Sequence, residues 1–118
     1  EVAELLAGQQ ALAKTCFSAC GLDSFEHQLR ATGRRQILLA GIETHICVYQ
    51  TARDLLDAGY HVEAVTDAIS SRTVENKTLG LQRMAQTGVE LTGVEMCLFE
   101  LLRAAGSAEF KTIAGLVK

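Results

Sequence analysis

At 118 residues, 48% of them hydrophobic, the chain is long enough for one modest domain and too short for two. Its 11 basic and 14 acidic residues leave a net charge of -3, with 5% aromatics and no basic block, which speaks against a nucleic-acid-binding surface. No apolar run approaches the ~20 residues that cross a bilayer, and no charged-then-apolar leader opens the chain, so a soluble, cytoplasmic protein without membrane contact is expected.

Glu1–Leu6 reads as a helix already under way, so that the chain looks like the later portion of a longer domain. Residues 11–14 read as a strand end closed by Lys14, and 22–31 as a short helix. The apolar run from Gln36 to Ala40, ended by Gly41, predicts a strand over 36–41. A helix over 46–58 follows, with Val48, Thr51, Ala52, Leu55 and Leu56 on one face and Gly59 as its stop. Residues 61–66 predict a strand, 73–86 a helix ended before Gly88, and 89–92 a last strand. The helix over 94–104 has Thr92 and Glu95 at capping-box spacing. Cys97 shares its face with Val94, Leu98, Leu101 and Leu102 and reads as packing. A final segment, 108–117, puts Phe110, Ile113, Ala114 and Val117 on one face that calls for docking on the same or another subunit. Repeated strand–helix units mean a parallel sheet between helices. The expected fold is therefore a three-layer α/β/α, Rossmann-like domain over 1–118, incomplete at its amino end.

Four cysteines without a second pair or a His-x3-His partner fit neither a disulfide scaffold nor a zinc site. Cys16 and Cys20 read as packing residues that flank the site and are open to oxidation. Cys47 stands out, because it falls where a strand turns into a helix. A thiol in a first helical turn lies near unpaired N–H groups and the positive end of the helix dipole, a setting that favours thiolate. The same amides can hold an oxyanion. In a parallel sheet ligands collect at the carboxyl ends of the strands, which is where Lys14, Cys47 and the Asp67 region are expected.

The stretch Gly41-Ile42-Glu43-Thr44-His45-Ile46-Cys47-Val48, with Thr51-Ala52 and Asp67-Ala68-Ile69-Ser70-Ser71-Arg72, resembles the isochorismatase-like cysteine hydrolases. Upstream, Lys14-Thr15-Cys16-Phe17-Ser18 is similar to the lysine motif of that superfamily, and the likeness runs from Lys14 to the Phe110-Lys111 segment. The resemblance implies an isochorismatase-like fold with a catalytic aspartate, lysine and cysteine, of which Lys14 matches the lysine and Cys47 the nucleophile. It also implies a cis peptide at Ile42–Glu43, which turns the Glu43 N–H beside that of Cys47 to form an oxyanion hole. The implied reaction is thiolate attack on a small amide or related C–N bond, loss of the amine and hydrolysis of the thioester, with no organic cofactor. A small-molecule substrate and a homo-oligomer belong to the same expectation. The family aspartate and the Asp/His metal cluster of some members lie further upstream and have no counterpart here, so no metal ligand is assigned.

Two rival readings stand beside it. One is a scaffold or interaction protein that keeps the fold without the aspartate; the other is a thiol redox protein, which lacks the Cys-x-x-Cys spacing such sites use. Asp67 is a conceivable replacement acid, but reads better as a cap and brace, with Ser70, Ser71 and Arg72, for the loop that follows. Arg72 is open either to an anionic substrate or to solvent. His45 precedes Cys47 by two residues without a fixed direction, and His27 and His61 read as ordinary helix and strand residues.

Overall fold

A computed structural model of the chain describes residues 2–117. After a single turn, α1 (Val2–Leu5), and an irregular stretch, α2 spans Asp23–Ala31. Three strands follow, β1 (Gln36–Ile42), β2 (His61–Ser70) and β3 (Glu90–Thr92), all parallel and in the order β1–β2–β3. Parallel neighbours need a crossover, and helices supply it: α3 (Tyr49–Asp57) between the first two strands, α4 (Val74–Gln86) between the second and third. Past β3 come α5 (Val94–Leu102) and α6 (Ala108–Leu116).

Local chemistry sets the ends of these elements. Gly59, at φ 83°, closes α3: its N–H bonds to the Leu56 carbonyl and that of Tyr60 to the Leu55 carbonyl, the paired pattern that a left-handed residue after a helix permits. Thr73 caps α4 by accepting the Asn76 N–H at 3.2 Å.

Strand alternation divides the sheet. Val62 and Ala64 point to one face and pack with Ile69, Val89, Met84 of α4, and Val48, Ala52 and Leu55 along the α3 segment. Phe25 and Leu29 of α2, with Ile37 and Leu39 of β1, edge this core. The intervening residues Leu38, Glu63 and Val65 face the other way, where α5 gives partial cover and Cys97 is buried. Helix α6 packs on α5 through Phe110 and Phe99, whose rings lie 6.0 Å apart. The apolar face expected for 108–117 thus docks within the chain, while Leu116 stays exposed.

Several expectations need correction. Residues 11–14 form no strand, because a strand exists only by exchanging hydrogen bonds with a neighbour and this stretch pairs with none of the three. The helix expected over Glu1–Leu6 is the single turn Val2–Leu5, with Glu1 outside the described residues. Strand β2 runs to Ser70 rather than 66. Leu39 faces Ala64 but Gly41 faces Ile69, so β2 bows between these points, and Val65 pairs with Thr92 instead. The capping box at Thr92–Glu95 does not form: Gly93 is the N-cap and Thr92 is buried, its hydroxyl 3.3 Å from the Cys97 sulfur.

Candidate active site

Strand β1 ends at Ile42, and the Ile42–Glu43 peptide is cis. The Glu43 carbonyl then accepts N–H groups from Ile46 at 3.1 Å and Val48 at 3.2 Å. The second of these spans five residues, which makes Thr44–Val48 one turn of π-helix leading straight into α3. Cys47 therefore lies inside that wide turn, two residues deeper in helical structure than its expected place at the head of an α-helix. Its thiol is free and half-buried.

The turn is fixed from two sides. Thr44 is fully buried and donates its hydroxyl to the Ser70 carbonyl at 2.8 Å, stitching the end of β1 to the end of β2. Beside it, the Glu43 carboxylate accepts the Arg72 N–H at 3.2 Å and the Arg72 Nε–H at 3.2 Å. His45 Nδ1 lies 3.0 Å from Ser71 Oγ and 3.7 Å from the same Glu43 carboxylate. The Arg72 backbone N–H, then its guanidinium and His45, hold the Glu43 carboxyl below the usual range against some desolvation. Arg72 thus stays on the surface, largely exposed as expected, with its guanidinium and backbone N–H engaged by Glu43.

From the other side α4 presses its backbone onto the turn at Gly80. A Cβ there would sit 2.9 Å from both the His45 nitrogen and the Thr44 carbonyl carbon, so only glycine allows this approach. A glycine inside a helix costs about 1 kcal/mol against alanine, so Gly80 in the middle of the 73–86 pattern, not singled out from the sequence, is the signal that could have marked a close contact. A small cleft of about 230 Å³, lined by His45, Tyr49, Leu79, Gly80 and Arg83, opens next to it.

Lys14 is exposed and donates its ammonium to the carbonyls of Cys16 and Phe17, both at 2.7 Å. The loop it folds is docked on the helix that carries on from Cys47: Ala19 N–H donates to Thr51 Oγ1 at 2.9 Å, one helical turn beyond Cys47. Ile42, Glu43 and Cys47 are therefore gathered in one turn. Among the described residues no hydrogen bond or ion pair joins Lys14 to Cys47, and Thr51 is the link between their segments.

Asp67 is elsewhere. The bow in β2 carries it to the start of α5, where its carboxylate accepts the Val94 N–H at 2.9 and 3.2 Å. It caps α5, not the loop after β2 as expected, because an anionic side chain is favoured at a helix N-terminus. Burial pushes the Cys20 thiol up, opposed by Ser18 and reinforced by Asp54 and Glu26, which disfavours its thiolate. His27 is exposed on α2. Among the described residues, one group of three side chains converges as metal ligands do: His61, Glu63 and Glu90, at the opposite end of the sheet from Cys47.

The isochorismatase domain family model matches residues 1–96. The chain is 51% identical over 85 residues to the secreted isochorismatase effector Isc1 of Phytophthora sojae, covering 72% of this chain and 40% of that protein. Among solved structures, the MAR1 ribonuclease of Caenorhabditis elegans superposes with a TM-score of 0.79 at 36% identity, over 88% of this chain and 53% of that one. The YcaC gene product of Escherichia coli, an octameric hydrolase of unknown specificity, superposes at 0.83 and 25% identity, over 88% and 52%. The chain spans about half the length of the curated relatives it matches. It belongs to the isochorismatase domain family.

Proposed function

We propose that this family member contributes the nucleophile turn of a cysteine hydrolase acting on a small amide or related C–N bond. The observation that carries the reading is the placement of Cys47 at the carboxyl end of a parallel strand, in a turn locked by Thr44, Glu43 and Gly80. In this reading the Cys47 thiolate attacks the carbonyl carbon, and the N–H groups of Glu43 and Cys47 receive the oxyanion. The C–N bond breaks, the amine leaves with a proton, and water cleaves the thioester to an acid and the free thiol. Lys14 serves as the positive charge that favours the thiolate, its ammonium having a third N–H beyond the two given to the Cys16 and Phe17 carbonyls. The hydrolase character of the Escherichia coli protein supports the class of reaction, and its octameric state supports a homo-oligomer here.

The second reading is a catalytically impaired scaffold, and it is favoured by the commitment of Lys14 to the Cys16 and Phe17 carbonyls, with no hydrogen bond or ion pair to Cys47 among the described residues. The rate of iodoacetamide alkylation of Cys47 against pH, in the wild type and in Lys14→Ala, separates the two. A thiol that titrates well below about 8.5, and rises in the variant, supports the hydrolase. An ordinary thiol indifferent to the lysine supports the scaffold. Ammonia release from a panel of small primary amides, run beside cleavage of an RNA oligomer, then assigns the substrate class. Cleavage of the oligomer that survives Cys47→Ala would overturn the amide reading.

A further inference from the structure

Strand register brings three ligand atoms together far from Cys47. His61 and Glu63 are two residues apart on β2 and so share a face, and Glu90 of β3 is the direct register partner of Glu63. His61 Nε2 lies 3.4 Å from Glu63 Oε1 and 3.5 Å from Glu90 Oε2, and all three atoms fall within 4.8 Å of one another. We propose that these three side chains form a binding site for a divalent cation of borderline softness, zinc foremost.

Three arguments support this. The first is metric: with metal–ligand bonds of about 2.0–2.2 Å, a tetrahedral zinc site has ligand–ligand edges of about 3.3–3.5 Å, and both histidine–carboxylate separations already have that length. The remaining edge closes by a small turn of Glu90, whose side chain is 65% exposed and free to move. The second is electrostatic. Like charges directly opposite each other on neighbouring strands repel, and among the described residues neither carboxylate has a lysine or arginine partner. With a neutral imidazole the pair carries two negative charges, which one divalent ion neutralises. Three arginines, Arg34, Arg35 and Arg103, line the same cleft as Glu63, and none is ion-paired with either carboxylate among the described residues; Arg35 is committed to the Gly59 carbonyl and the Tyr60 ring. The third is access: His61 and Glu90 are open to solvent, and Glu63 borders a cleft of about 800 Å³ beside α5, so water can reach the cluster as a fourth ligand. One imidazole and two carboxylates are a donor set suited to zinc, cobalt or nickel rather than to calcium or magnesium.

The site sits at the amino ends of the strands, so it is independent of the chemistry proposed for Cys47. Cobalt(II) titrated into the chain at about pH 7.5 tests it, read by its visible ligand-field bands, with competition by zinc. The expected result is one bound ion, displaced by zinc and without a thiolate charge-transfer band. His61→Ala and Glu90→Gln should each weaken binding at least tenfold, and His27→Ala should leave it unchanged. Glu90 is exposed, so its variant keeps the fold and the test stays decisive. A thiolate band, or an affinity that neither variant changes, would overturn the proposal and leave the cluster as a surface histidine–carboxylate network.

Discussion

The two faces of the sheet differ in how they are finished. Under α3 and α4 the packing is closed: Ala52, Ala64 and Met84 are fully buried, and Leu55 and Val62 nearly so. Under α5 the face is half open, with Leu38 substantially exposed and Met96 and Leu101 of α5 largely in solvent. The Cys47 turn belongs to the closed side. Val48, the residue after Cys47, is a member of the core, and Thr44 is buried to the same degree as the apolar residues around it. A reactive group is held most firmly where the element beneath it cannot shift without opening a packed interior. The ligand cluster on the open side has no such support and relies on charge alone.

This contrast is testable by substitution. Leu55→Ala, on the closed side, should lower unfolding stability by about 2–5 kcal/mol, whereas Leu101→Ala on the open side should stay within about 0.5 kcal/mol; similar losses measured by chemical denaturation would erase the distinction. Gly80→Ala should cost about 1–3 kcal/mol through the clash with the turn. It should also change the alkylation rate of Cys47, a readout that a purely global loss of stability below the transition would not move. Asp67→Ala removes the cap of α5 and should cost about 0.5–2 kcal/mol, with Asp67→Asn recovering most of it; no recovery would mean that the charge and not the hydrogen bond matters.

The smallest effect is electrostatic. Because the folded-state pKa of Glu43 is depressed, its contribution is present above its ordinary value near 4.5 and is lost as pH falls through the lowered value. The stability difference between wild type and Glu43→Gln should therefore be seen at neutral pH and vanish on acidification. A difference that persists in acid would place the effect of Glu43 outside its pairing with Arg72.

The strands, the helices and their order were legible because each apolar run has the period of its element and a glycine or capping residue at its end. The Cys47 turn was legible as a place, since a strand, a glycine and a helical face follow one another there. Its form was not. A π-turn depends on the Val48 N–H reaching back to Glu43, and residue type says nothing about that choice. Arg72 is the surface residue it looked like, but its pairing with Glu43 was not legible, because that partner lies 29 positions away, across a strand pairing that a local pattern does not encode. Asp67 was misplaced for a similar reason: the bow in β2 is a matter of register, so its carboxylate reaches α5 instead of the loop next to it in sequence. Lys14 was read as a strand end, and without a neighbouring strand to pair with, its segment is irregular.

The ties that fix the Cys47 turn have one further consequence, which concerns time. Thr44–Ser70 and His45–Ser71 each span 26 residues and Glu43–Arg72 spans 29, all across the single crossover from β1 through α3 to β2. The loop-closure entropy for these three contacts is met once, when β1 and β2 pair, and the one longer-range brace described for the turn, the approach of Gly80 to Thr44 and His45, waits for α4 to dock. The turn and the strand pair should accordingly open and close as one cooperative unit, with the Val48 and Tyr49 amides exchanging their hydrogens at the same free energy as those of β1. Faster exchange in the turn would mean that the reactive segment matures after the sheet; equal exchange means that the chain never carries the strand pair without the turn.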